Sequence, residues 1–301
     1  MSAFVKFKLR EDSDPFCDPE DPLQPRADEF YFERAEQGPI RNRGEIDSYA
    51  AAIAGSQFRV HLFSVSICGS YARFIRWDRM GAIVTRRFDY TKNPDMLRTF
   101  FWRYSHLDLC GQRYDLTDHV APEEDIQQLG DFEPASWSAN SSHHGFRKLV
   151  VSNRDNPDEE RGCIISYPTY RKPRSPFARA TRAILAYDLV ARRLVFLKDC
   201  WRSDIEGKEK ESDIYALLEQ AKVPNIAPFG SGDDVRNHAT ITQNLRNEVW
   251  ACKTADMVCL RQYPMTLGVI GRRLTEFSSS REFVTAVADA MEGKPCLSHL
   301  V

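Results

Sequence analysis

No run of about 18 apolar residues occurs in this 301-residue chain, which excludes an ordinary membrane-spanning helix. An amino-terminal apolar stretch is missing too: Met1-Ser2-Ala3-Phe4-Val5-Lys6 runs straight into charge, so no secretory signal is expected. There is no Cys-x-x-Cys pair. The eight cysteines stand at 17, 68, 110, 163, 200, 252, 259 and 296, the closest two seven apart. That spacing argues against a zinc site or a disulfide framework and for buried free thiols in a reducing, intracellular compartment, cytoplasm or nucleus. Charge of one sign is not in excess either. Lys plus Arg number 41 and Asp plus Glu 43, a net charge of −2, which excludes a protein held on nucleic acid by bulk electrostatics. What is present is aromatic: 18 Phe, 11 Tyr and 5 Trp are too many for a disordered chain and enough for a sizeable core. The length suggests about two domains.

Residues 1–45 are polar, acidic in places and proline-containing, and read as an irregular lead-in. The pattern at 46–54 suits a short helix. Phe58, Val60 and Leu62 then alternate with polar residues, and Phe63, Val65 and Ile67 continue on the other parity, as a bulged strand or one buried on both faces would. Turns at Gly69-Ser70 and at residues 78–81 separate two more strands, 71–77 and 82–90, giving an antiparallel meander. Asn93-Pro94-Asp95 is a helix start, and Leu97, Phe100, Phe101 and Tyr104 follow at helical spacing, so this helix should lay an aromatic face on the sheet. Together these make an α+β unit over 46–150. Residues 152–161 read as a solvated loop. After it come strands at 184–188 and 193–198, a helix at 209–221, short strands at 258–262 and 266–270, and a helix opened by the capping-box pair Ser279 and Glu282.

Several clusters carry weak signals. His143-His144 sits in a polar stretch with no third metal ligand at useful spacing, so no metal site is assigned. Arg73, Arg76, Arg79, Arg86 and Arg87 fall on the meander but are interleaved with Asp78 and Asp89, which favours a mixed solvated face over a nucleic-acid surface. Lys198 ends an apolar strand and Glu211 lies on the following helix. A strand lysine held by a helix glutamate is the arrangement that contacts nucleotide phosphates in protein kinases.

Phe63-Ser64-Val65, Phe74-Ile75-Arg76-Trp77-Asp78-Arg79-Met80-Gly81-Ala82, Val195-Phe196-Leu197-Lys198-Asp199-Cys200-Trp201-Arg202, Val223-Pro224-Asn225-Ile226 and Ile270-Gly271-Arg272-Arg273-Leu274-Thr275-Glu276-Phe277 run in order along residues 40–295. These strings resemble the fungal-type protein kinase domain family. The resemblance implies an α+β chain: an antiparallel-sheet accessory domain at 46–150, then at 165–301 a protein-kinase-like N-terminal lobe, hinge and first helices of an incomplete C-terminal lobe. It implies ATP-dependent transfer to a Ser or Thr hydroxyl with ATP and Mg as cofactors. Lys198 would be the phosphate-contacting lysine, Glu211 its partner, and Gly271 part of a hinge at 267–272 that meets adenine.

The chain departs from an active kinase. It holds no His-Arg-Asp and no Asp-Phe-Gly, and Asp131-Phe132 is followed by Glu133 and lies upstream of Lys198. Phosphoryl transfer needs a group to orient the hydroxyl and acids to hold magnesium, so no catalytic residue is assigned. Residues 176–182, where the glycine-rich loop belongs, contain no glycine, and Phe196 takes the place of the small residue above adenine. The expectation is a catalytically inactive fragment or pseudokinase that breaks off before the catalytic loop. Two alternatives stand beside it. One is an interaction module for a protein, or less readily a nucleic acid, using the sheet and helix of 58–107. The other is an active kinase whose coding sequence continues past 301. In the truncated reading Phe283, Val287 and Met291 should form an apolar stripe left exposed or folded back on the small lobe.

Overall fold

The computed structural model describes residues 3–20, 30–107, 118–130, 145–154, 156, 160–166, 175–252, 257–271 and 274–292. Two sheets organise them. The first has five strands: β1 (Ala3–Lys8), β2 (His61–Cys68), β3 (Tyr71–Asp78), β4 (Ala82–Val84) and β5 (Phe88–Asp89), in the order β1-β2-β3-β4 with β5 also on β3. The meander is antiparallel, as expected, and β1 adds a parallel edge to β2.

Alternation along β2 and β3 explains the shifted parity. Leu62 pairs with Trp77 on one face, and Val65 pairs with Phe74 on the other, in unbroken register. There is no bulge; both faces are covered. Helix α1 (Gln37–Ser56) buries Ile46, Ala50 and Ala54 against Leu62, Ile75 and Trp77. Helix α2 (Pro94–His106) lays Leu97 and Phe100 on Val65, Ala72 and Phe74, the Phe100 and Phe74 rings stacking at 4.4 Å. The β2–β3 turn needs its glycine: Gly69 has φ +58°, and a Cβ there would stand 2.4 Å from the Glu11 side chain.

The second sheet has seven antiparallel strands in the order β11-β12-β10-β9-β8-β7-β6: β6 (Asp118–Val120), β7 (Phe146–Ser152), β8 (Glu160–Ser166), β9 (Arg182–Asp188), β10 (Arg193–Ser203), β11 (Phe229–Gly232) and β12 (Leu260–Leu267). It curls until the end of β7 meets β11, where Ser231 Oγ donates to Ser152 O at 3.0 Å. Inside the curl lie Leu149, Val151, Cys163, Ile165, Ile184, Ala186, Val195 and Leu197. Helices α3 (Glu123–Gln127) and α4 (Glu211–Gln220) lie on its outer face, and α5 (Ser280–Glu292) is tied to the turn after α4 by Asn225 Nδ2, which donates to Asp289 O at 3.2 Å and Glu292 Oε2 at 3.0 Å.

Five expectations need correction. The lead-in is not wholly irregular: β1 and the first turns of α1 fall within it, because Phe4 and Phe16 join the α1 core. Phe58 and Val60 precede the strand rather than belong to it, since their side chains enter the second unit. The stretch read as the solvated loop 152–161 includes the end of β7 and the start of β8. The boundary expected at 150 falls inside the second sheet, because β6 and β7 pair with each other and β7 with β8. Finally, the two short strands flanking Pro264 are one strand. Gln262 N–H points away from β10, to His238 O at 3.1 Å. Pro264, two residues on, faces the same way just short of where β11 begins to pair, so its missing N–H costs no β10 rung.

Three of the described free cysteines, Cys68, Cys163 and Cys200, are buried, and burial pushes the Cys200 thiol up to about 11. No helix among the described residues is long and apolar enough to cross a membrane.

Candidate functional site

Strand β10 has two faces. Lys198, Phe196 and Leu194 lie on the outer one, beside Ala183, Leu185 and Tyr187 of β9 and Met265 and Leu267 of β12. Helix α3 covers the Tyr187 end, through Ile126 and Leu129. Helix α4 covers the other end, where Tyr215 packs with Cys200, Tyr263 and Met265. Between the helices Lys198, Phe196, Leu185 and Ala183 stay partly open to solvent.

Lys198 Nζ donates to both oxygens of Glu211, at 2.7 and 2.6 Å. The first turn of α4 that carries Glu211 is fixed on three sides. Ser212 N–H donates to Tyr263 Oη at 2.8 Å, Arg154 pairs with Asp213 at 3.1 Å, and Lys210 Nζ reaches Asp233 at 2.5 Å. Acids in that turn also suit the positive end of the helix. The arrangement presents one ammonium, held in place but still solvent-accessible, on an apolar strand face. Gly271 is exposed past the end of β12, with nothing within 4 Å of where a Cβ would sit.

 Before it β12 ends at Leu267, and Gly268 N–H donates to Pro228 O at 2.8 Å.

The inner face of β10 is closed by the first unit. Phe58 joins Val195 and Leu197 inside the curl, with the Arg182 guanidinium 4.3 Å from its ring. Trp201 packs with Val60, Met80 and Leu260. Asp199 accepts from Arg182 at 2.9 Å and from Gln262 at 3.1 Å, and Arg182 donates on to Ala54 O and Gln57 O. From the first unit, Trp77 stacks on Phe177 at 5.9 Å. Arg79 donates to Pro176 O at 3.0 Å and Ala54 O at 2.9 Å, and its own carbonyl accepts from Ala178 N–H. Full burial, then the nearby Arg182 charge, pull the Arg79 guanidinium down to about 9. Asp78 accepts from the N–H groups of Met80, Gly81, Ile241 and Thr242. Burial alone would raise its pKa, but the hydrogen bonds from Ile241, Arg76 and Met80 hold it below the usual carboxylate range.

The segment 176–180 is therefore pinned between the units, where the glycine-rich loop was expected. Ala178 and Ala180 there have φ +72° and +42°, left-handed angles that glycine adopts without strain. The arginines of the meander do not form a face. Arg73 is buried and paired with Asp14 and Asp18 at 2.8 and 2.6 Å, Arg76 pairs with Asp78 at 3.0 Å, and Arg79 is interior. Acids of the lead-in, distant in sequence, absorb Arg73, while a neighbouring acid holds Arg76 and backbone carbonyls hold Arg79. The His143-His144 and Asp131-Phe132 pairs lie outside the described residues.

A family model described as fungal protein kinase matches residues 33–299. The chain belongs to the fungal protein kinase family. Searches of curated proteins and of solved structures return no match. Within this family member, two of the strings that carried the resemblance line the seam: Trp77, Asp78, Arg79 and Met80 on one side, Val195, Leu197, Asp199 and Trp201 on the other, while Phe196, Lys198 and Cys200 of the second string turn outward. Sequence reasoning paired Lys198 with Glu211, as the structure does, but missed the seam. Phe58 and Val60, on the opposite parity to Phe63, Val65 and Ile67, were the signal for it.

Proposed function

We propose that the Lys198–Glu211 face is the phosphate-contacting wall of a nucleotide cleft that takes ATP, with the segment through Gly271 as its hinge rim. The observation that carries this reading is the two-pronged ion pair, 2.7 and 2.6 Å, on a strand face left open between α3 and α4. A fixed ammonium beside apolar Phe196, Leu185 and Ala183 suits a phosphate at one end and a flat base at the other. The magnesium implied by the family does not fit as well: among the described residues no three His, Cys, Asp or Glu side chains converge to hold a cation. With no His-Arg-Asp or Asp-Phe-Gly string in the 301 residues, binding without phosphoryl transfer is the function assigned to this chain.

A titration with a fluorescent ATP analogue tests it, run on the wild type and on Lys198→Met, beside a phosphotransfer assay. Saturable binding weakened at least tenfold by Lys198→Met, with no turnover, is the expected result. Equal affinity in both proteins would remove the phosphate role; turnover abolished by Lys198→Met would overturn the non-catalytic reading.

A second reading, a protein-interaction role for residues 58–107, is supported by α2. Its outer side exposes Met96, Phe101 and Trp102, the last at 60%. Arg76 and Arg79 are engaged internally and are not available for it.

A further inference from the structure

A cavity of about 480 Å³ opens on the opposite side of the seam, between α1 and β3–β4 of the first unit and residues 242–252 and Met257 of the second. That is the size of a small-molecule site. Its walls are aromatic: Phe32, stacked on Phe16 at 4.8 Å, the Trp77–Phe177 pair, and Trp250 at the mouth. Its charged groups are four. Glu33 and Arg43 pair with each other at 2.5 Å, and exposed Arg246 donates to Met257 O at 3.1 Å. Asp47 is half-buried, and among the described residues its carboxylate takes no hydrogen bond or ion pair; Arg43 reaches it only through space. Burial, first, and the Glu33 charge raise its pKa.

We propose that this cavity binds an aromatic amine, its ring between the aromatic walls and its ammonium on the Asp47 carboxylate. A half-buried carboxylate without a partner gains most from a cation that brings its own apolar body. Aromatic faces around it favour a cation further. The site is separate from the Lys198–Glu211 face and does not depend on its role.

Calorimetry with tryptamine and with its uncharged counterpart tryptophol tests the proposal. Tryptamine should bind at least tenfold more tightly than tryptophol, and Asp47→Asn should remove that preference while tryptophol affinity and the melting temperature stay unchanged. Ala251→Phe, which fills the cavity at its rim, should block both compounds, and Lys198→Met should change neither. Equal affinity for the two compounds, no binding of either, or tryptamine binding indifferent to Asp47→Asn or Ala251→Phe would overturn it. Loss of tryptamine binding on Lys198→Met would place the amine at the other face and overturn it as well.

Discussion

The two faces of β10 carry different residues and are covered differently. The inner face, with Val195, Leu197, Asp199 and Trp201, is sealed by Phe58, Val60, Met80 and Arg182 into a shared apolar and polar seam. The outer face, with Phe196 and Lys198, is roofed only at its ends, and between them it carries the Lys198–Glu211 pair. The same strand thus does two jobs, separated by the two-residue alternation of side chains. Two of the strings that mark the family, at 74–82 and 195–202, serve the seam. A string typical of a family is therefore not by itself a map of a binding site.

Breaking the sealed face should cost most. Phe58→Ala removes a 2%-exposed ring from the interior of the second sheet, and about 4 kcal/mol of stability should be lost in urea unfolding. Asp78→Asn comes next, at about 2 kcal/mol, since a charged acceptor of four backbone N–H groups is replaced by a neutral one. It has a pH signature. The folded pKa of Asp78 lies below its unfolded value of about 3.9, so its contribution is full above that value and is lost as pH falls through the folded pKa. The gap in stability between wild type and Asp78→Asn should narrow over that acid range, and a constant gap would show that the carboxylate charge is not what holds the turn.

On the open face the same comparison should come out small. Lys198→Met should change stability by less than about 1 kcal/mol, because the ion pair is partly solvated. A loss as large as that of Phe58→Ala would mean that the pair is part of the core. The smallest effect is a gain. Ala178→Gly relieves a left-handed alanine at φ +72°, at some cost in chain entropy, and should stabilise the fold by about 0.5 kcal/mol in the same urea experiment.

How far the sequence could be read follows from where each interaction lies along the chain. Strands β2, β3, β9 and β10 and helices α2 and α4 were legible because period and caps are local signals. The pair Lys198–Glu211 was legible because its members are 13 residues apart on consecutive elements. The seam was not, because its contacts join residues far apart, as Arg182 joins Ala54 and Asp78 joins Thr242. The same holds for Arg73, whose basic character suggested a surface until Asp14 and Asp18 arrived from the lead-in. Helix α5 did follow its capping box, with Glu282 N–H donating to Ser279 Oγ at 3.2 Å. Its Phe283, Val287 and Met291 are exposed to 38, 37 and 62% among the described residues, with the Phe283 ring 5.3 Å from Phe277.

The seam makes the two units one cooperative structure, and peptide-level hydrogen exchange across a urea series tests that directly. Peptides from β2–β3, residues 61–78, and from β9–β10, residues 182–203, should lose protection at the same urea concentration. Loss of protection in one set while the other stays protected would contradict a shared core.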